Sequence, residues 1–152
     1  MSNVERPFVL LIDDNEATCT LIKAVLHRDF TVDVAADGQD AMERLRTKHY
    51  AAIILDLRMP QADGFSVLEF LQENDPRTLR SVLVVTAALT ATEMARTKTF
   101  DVCSIISKPF DPEEIARLVV ACADIKSRGP FGAMAIATML AGGPFLAFLN
   151  RL

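Results

Sequence analysis

Residues 51–60 read Ala-Ala-Ile-Ile-Leu-Asp-Leu-Arg-Met-Pro, a continuous apolar run that stops abruptly at Asp56. A proline and the turn pair Asp63-Gly64 follow. Short apolar runs bounded by turn residues suit a strand buried on both faces, as in a parallel sheet. Open α/β sheets gather their ligand chemistry at the carboxyl edge, which is where Asp56 would emerge.

The rest of the chain repeats the pattern. Apolar or β-branched runs at 8–12, 31–35, 51–56, 81–86 and 102–107 read as five strands. Between them the spacing turns helical. Asp13-Asp14-Asn15 supply caps for a helix over 16–28, with Leu21, Ile22, Val25 and Leu26 apolar. Asp37-Gly38 opens a second helix bearing Ala41, Met42 and Leu45, and 64–74 forms a third around Phe65, Leu68, Phe70 and Leu71. Thr90-x-x-Glu93 has the form of a capping box and starts a fourth. Asp111-Pro112-Glu113-Glu114 is an N-cap, an N1 proline and an acidic first turn, beginning a fifth that runs to about residue 126. Alternating strands and helices with short links predict right-handed βαβ units and a mostly parallel sheet.

At 152 residues the chain allows one ordinary domain with a small appendage. Its net charge of −4 and lack of a basic cluster argue against nucleic-acid binding, which depends on neutralising phosphates. The 3 cysteines, Cys19, Cys103 and Cys122, have no metal-ligand spacing and sit in apolar contexts, so they read as buried reduced thiols of a cytoplasmic protein. The first residues carry no apolar core of signal-peptide type.

Composition shifts after Arg128: four of the 6 glycines fall between Gly129 and Gly143, and no charge appears before Arg151. This divides the chain into a domain over 1–128 and an apolar, helical tail over 129–152. The tail nears the ~20 residues of a membrane helix and follows Lys126 and Arg128. Gly142-Gly143-Pro144 breaks it into two short pieces, which favours packing or homodimerisation over membrane attachment.

Four strands finish in groups that can do chemistry: Asp13 and Asp14, Asp56, Thr86, and Lys108. Parallel strands put these ends on one edge of the sheet. Taken singly, Asp13 or Asp14 is a helix cap, Thr86 a strand end and Lys108 a solvated lysine. Together, three crowded carboxylates repel unless a cation joins them. Oxygen-only ligands with open positions suit Mg²⁺, and an ammonium and a hydroxyl beside a carboxylate nucleophile complete a phosphoryl-transfer site.

Four motifs then stand in combination: Leu-Leu-Ile-Asp-Asp-Asn, Ile-Leu-Asp-Leu-Arg-Met-Pro followed by Asp-Gly, Val-Val-Thr-Ala, and Ser-Lys-Pro-Phe. With them the chain resembles, over residues 7–126, the response-regulator receiver domains of two-component signalling. The resemblance implies a flavodoxin-like fold with strand order 2-1-3-4-5. It implies that Asp56 takes a phosphoryl group from a phosphohistidine on a histidine kinase or phosphotransfer protein, and that the domain is a signalling phosphoacceptor rather than an enzyme. Asp14, Asp56 and the backbone carbonyl of Arg58 would ligate Mg²⁺, with Asp13 holding it through water. Lys108 and Thr86 would contact the phosphoryl oxygens, and Pro109 would follow a cis bond.

One position departs from the family pattern. Receivers usually carry tyrosine or phenylalanine three residues before the lysine, and here that residue is Ile105. An aliphatic side chain cannot reproduce the aromatic switch that follows the threonine. Arg58 and Ala88 flank the site at positions that modulate hydrolysis in the family. The expected output is a protein–protein contact, without a DNA-binding domain. Rival readings are an unphosphorylated adaptor, a scaffold working through the tail, and a phosphohydrolase. The last would want an aspartate where Arg58 stands.

Overall fold

In a computed structural model that describes residues 5–59 and 64–128, the apolar runs form five parallel strands. These are β1 (Phe8–Ile12), β2 (Thr31–Ala35), β3 (Ala52–Leu55), β4 (Val82–Thr86) and β5 (Ser104–Ser107). They lie in the order β2-β1-β3-β4-β5, the flavodoxin-like order. β3 and β4 are buried along their whole length, whereas the edge strands β2 and β5 are only partly covered. The uninterrupted apolar run before Asp56 is the signature of that central place.

Side chains alternate across the sheet with period two. Leu10, Ile12, Ile53, Leu55, Val82 and Val84 face one layer, made by α2 (Gly38–Thr47) and α3 (Gly64–Asn74). Val9, Leu11, Ala52, Ile54, Leu83 and Val85 face the other, made by α1 (Glu16–Leu26) and α6 (Pro112–Arg128). Each fully buried Leu, Ile or Val contributes roughly 1.5–3 kcal/mol, so these two clusters dominate stability.

The helix starts follow their caps. Asn15 Oδ1 accepts from the Thr18 N–H at 2.9 Å, and Asp37 Oδ1 from the Asp40 N–H at 2.8 Å. Both halves of the Thr90/Glu93 capping box are formed at α5 (Ala91–Thr97). One element has no counterpart in the sequence pattern: α4 (Pro76–Leu79), a single turn with Pro76 in its first positions. Four residues are too few to show a helical period. β5 begins two residues later than the apolar run, because Val102 and Cys103 lie before the strand.

The cysteines require a correction. Cys103 and Cys122 form a disulfide, with their Cα atoms 5.8 Å apart, and are not reduced thiols. The β5–α6 connection brings the residue before the strand against the buried face of the helix, a juxtaposition that spacing along the chain does not reveal. Cys19 alone matches the expectation: it is free and buried, and burial pushes its thiol pKa up.

The tail over 129–152, with its dimerisation and membrane alternatives, lies outside the described residues, as do Pro60 and Asp63. No helix among the described residues is long and apolar enough to cross a membrane.

Candidate functional site

The strand order reverses beside β1, whose neighbours β2 and β3 lie on opposite sides of it. Such a switch point opens a crevice at the carboxyl edge. Ile12 and Leu55 are register partners, so the residues that follow them, Asp13 and Asp56, emerge side by side. The Asp56 N–H donates to the Ile12 carbonyl at 2.9 Å, which fixes that relation. Both carboxylates are nearly inaccessible, at 3% and 5% exposure, while Asp14 is exposed.

Lys108 closes the group from β5. Its N–H donates to the Thr86 carbonyl at 2.8 Å. Its Nζ donates to Asp13 Oδ2 at 2.8 Å and to Asp56 Oδ2 at 3.0 Å. Burial alone would lower the Lys108 pKa, but hydrogen bonds and charge from Asp13 and Asp56 outweigh it and hold the ammonium above its ordinary value. The Lys108–Pro109 bond is cis. From β4 the Thr86 hydroxyl donates to Asp56 Oδ1 at 3.0 Å, and the Arg58 N–H donates to the same oxygen at 2.9 Å. Among the described residues no buried side-chain nitrogen or oxygen lacks a partner.

Asp13 is held in turn by the Asn15 N–H at 2.9 Å, and its carbonyl lies 3.4 Å from Cys19 Sγ. Gly64 lets α3 start against this loop. A Cβ there would lie 2.6 Å from both the Asp56 carbonyl oxygen and Leu57 Cα, so no other residue fits without a backbone shift.

Asp13, Asp14 and Asp56 each offer a carboxylate oxygen, all within 4.8 Å of one another. An all-oxygen, triply acidic set of this size fits a hard divalent cation such as Mg²⁺. The arrangement can hold a cation, present Asp56 as a nucleophile and surround added oxygens with a cation and a hydroxyl.

Of the residues singled out in the sequence, Asp13, Asp56, Thr86 and Lys108 are joined by hydrogen bonds, and Asp14 lies within ligand reach. Ile105 stands apart. It pairs with Val84 in the sheet and packs, partly buried, against the α2/α3 layer. Ala88 is exposed, as are His27 and His49. Glu93 is more than the cap its spacing predicts: its carboxylate also takes the Arg58 guanidinium at 2.7 Å. A contact between residues 35 apart leaves no trace in local spacing.

The family model for the response regulator receiver domain matches residues 9–120. The transcriptional regulatory protein TrcR of Mycobacterium tuberculosis is 34% identical over 112 residues, 72% of this chain and 43% of TrcR. The response regulator Rre1 of Synechocystis is 32% identical over 113 residues, 73% of this chain and 49% of Rre1. The chain thus spans less than half the length of these relatives. Among solved structures, the receiver domain of the Francisella response regulator 1452 superposes with a TM-score of 0.70 at 26% identity, covering 78% of this chain and 98% of that one. A receiver domain of a Pseudomonas aeruginosa sensor histidine kinase, described with a magnesium ion coordinated in its active-site cleft, shares the fold at a TM-score of 0.69 and 24% identity, covering 78% of this chain and 98% of that one.

Proposed function

The chain belongs to the response-regulator receiver domain family of two-component signalling, and on that premise we propose that Asp56 is the acceptor of a phosphoryl group handed over by a phosphohistidine. Receiver domains are phosphoacceptors that partner histidine kinases, not enzymes with a separate substrate. In the reaction a carboxylate oxygen of Asp56 attacks phosphorus as the P–N bond breaks; the donor nitrogen keeps the bonding pair, and the ring, protonated on its other nitrogen, leaves as neutral imidazole. Lys108 steadies the carboxylate beforehand and meets the incoming phosphoryl oxygens with its charge, and Thr86 offers them its hydroxyl. Asp13, Asp14, Asp56 and the backbone carbonyl of Arg58 would hold Mg²⁺, Asp13 through water. When bound, Mg²⁺ neutralises charge on the phosphoryl oxygens and relieves the repulsion among the carboxylates.

The observation that carries this reading is the Lys108 ammonium bridging Asp13 and Asp56 at 2.8 and 3.0 Å, which draws β1, β3 and β5 to one point. A labelled phosphohistidine domain of a histidine kinase, mixed with the chain and Mg²⁺, tests it. We expect the label to move to this chain and to be released by hydroxylamine, as an acyl phosphate is. Label that stays on the donor, or resists hydroxylamine, would overturn the reading.

Output runs through protein contacts in this reading, in the cytoplasm where such kinases present their phosphohistidine. The charge of this chain speaks against nucleic acid for this chain only, and relatives such as TrcR are named as transcriptional regulators. A DNA step downstream is open to it.

A further inference from the structure

Arg58 ties the acceptor loop to a helix that is lightly held. Its N–H donates to Asp56 Oδ1 at 2.9 Å, while its guanidinium bonds Glu93 Oε2 at 2.7 Å in the first turn of α5. That same Glu93 oxygen accepts the Thr90 N–H at 2.8 Å and so completes the helix cap. α5 has seven residues, and Thr97 is its one buried position. Its other attachments include Arg96, which pairs with Glu69 and stacks over Phe65 on α3.

We propose that Arg58 is a latch: its guanidinium leaves Glu93 for the phosphoryl group when Asp56 is phosphorylated, and α5 is released from the acceptor loop. The proposal rests on Asp56 being the acceptor. The Arg58–Glu93 pair is exposed, at 44% and 33% of its side-chain surfaces. A pair so exposed shifts an equilibrium by no more than about fivefold, so a stronger anion can displace it. A phosphoryl group brings about two negative charges and three acceptor oxygens, which a guanidinium meets in bidentate fashion. Arg58 is rooted two residues from Asp56, within reach of a group on that carboxylate. Glu93, left with the Thr90 N–H alone, keeps the helix capped but no longer moored. Ile105 has no ring or hydroxyl to move, and the latch connects Asp56 to α5 without one.

Backbone amide resonances of the full chain with Mg²⁺ test this, before and after addition of beryllofluoride as a stable stand-in for the phosphoryl group. Amides of Asp56 and Thr86 report occupancy of the site; those of residues 90–97 report the latch. In the wild type both sets shift. Glu93→Gln keeps an acceptor for the cap but loses the ion pair. We expect its residues 90–97 to be displaced toward the occupied positions without beryllofluoride, by up to about a fivefold change in population. In Arg58→Gln, with beryllofluoride raised until the Asp56 and Thr86 amides have shifted in full, residues 90–97 should not follow. Residues 90–97 that follow beryllofluoride in Arg58→Gln as in the wild type, or that coincide with the wild type in unliganded Glu93→Gln, would overturn the latch alone. A wild type whose Asp56 and Thr86 amides ignore beryllofluoride would overturn both the latch and the acceptor reading beneath it.

Discussion

Asp56 owes its setting to neighbours that leave it little freedom: Thr86 and the Arg58 N–H hold one oxygen, and Lys108 the other. Gly64 sets the loop's position from beneath. Gly64→Ala should push Leu57 and Asp56 out of place and cost about 1–3 kcal/mol, read as a lower urea midpoint together with slower phosphorylation. At the opposite edge of the sheet a second polar group is equally fixed. The Tyr50 hydroxyl donates to Asp33 Oδ2 at 2.8 Å and Lys48 Nζ reaches the same oxygen at 2.9 Å. Burial and this bond push the Tyr50 phenol up to about 12. Burial alone would raise Asp33, but the bonds from Lys48 and Tyr50 outweigh it and hold it below its usual value. The chain has 1 tyrosine and no tryptophan, so phenolate absorbance reads Tyr50 alone. We expect its midpoint near 12. Because the folded value lies above the unfolded value of 10, Tyr50 contributes stability that is whole below pH 10 and lost as pH rises through about 12. The amount is roughly 2–3 kcal/mol. An absorbance midpoint near 10 would contradict both the burial of Tyr50 and its bond to Asp33.

Among the elements, α6 is bound to the sheet both by packing and by the Cys103–Cys122 disulfide, which closes a loop of 19 residues. A loop of that size is worth about 3 kcal/mol in the chain-entropy picture. Cys122→Ser should therefore lower stability by about that amount under oxidising conditions, and the wild type should lose a similar amount when a reductant is added. Equal unfolding midpoints with and without reductant would contradict the bond. Asn15→Ala should cost about 1 kcal/mol at the α1 N-terminus, measured by the same unfolding curves. The contrast between these two features shows what local sequence carries. Asn15, Asp37 and the Thr90/Glu93 box act within three residues of themselves, and each was legible. The strands were legible too, since burial on both faces leaves an unbroken apolar run. The Cys103–Cys122 bond, the Tyr50–Asp33–Lys48 group and the Arg58–Glu93 pair each join residues 15 or more apart. They exist because a connection or a register brings two elements together.

For the molecule as a whole, the decisive feature is the topological switch beside β1, which gathers Asp13, Asp14, Asp56, Thr86 and Lys108 from four strand ends. These residues could be named from the sequence because parallel strands share a carboxyl edge whatever their separation. Ile105 could be named as a departure, but its consequence depends on what the fold offers instead, and Arg58 with α5 is one such route. In this molecule everything converges on Asp56 as the acceptor of a phosphoryl group. The most direct measurement is intact mass after incubation with a small acyl phosphate and Mg²⁺, beside Asp56→Asn and a chelated sample. A single phosphoryl adduct is expected on the wild type and none on either control. An adduct that persists in Asp56→Asn, or a wild type that gains no mass, would contradict it.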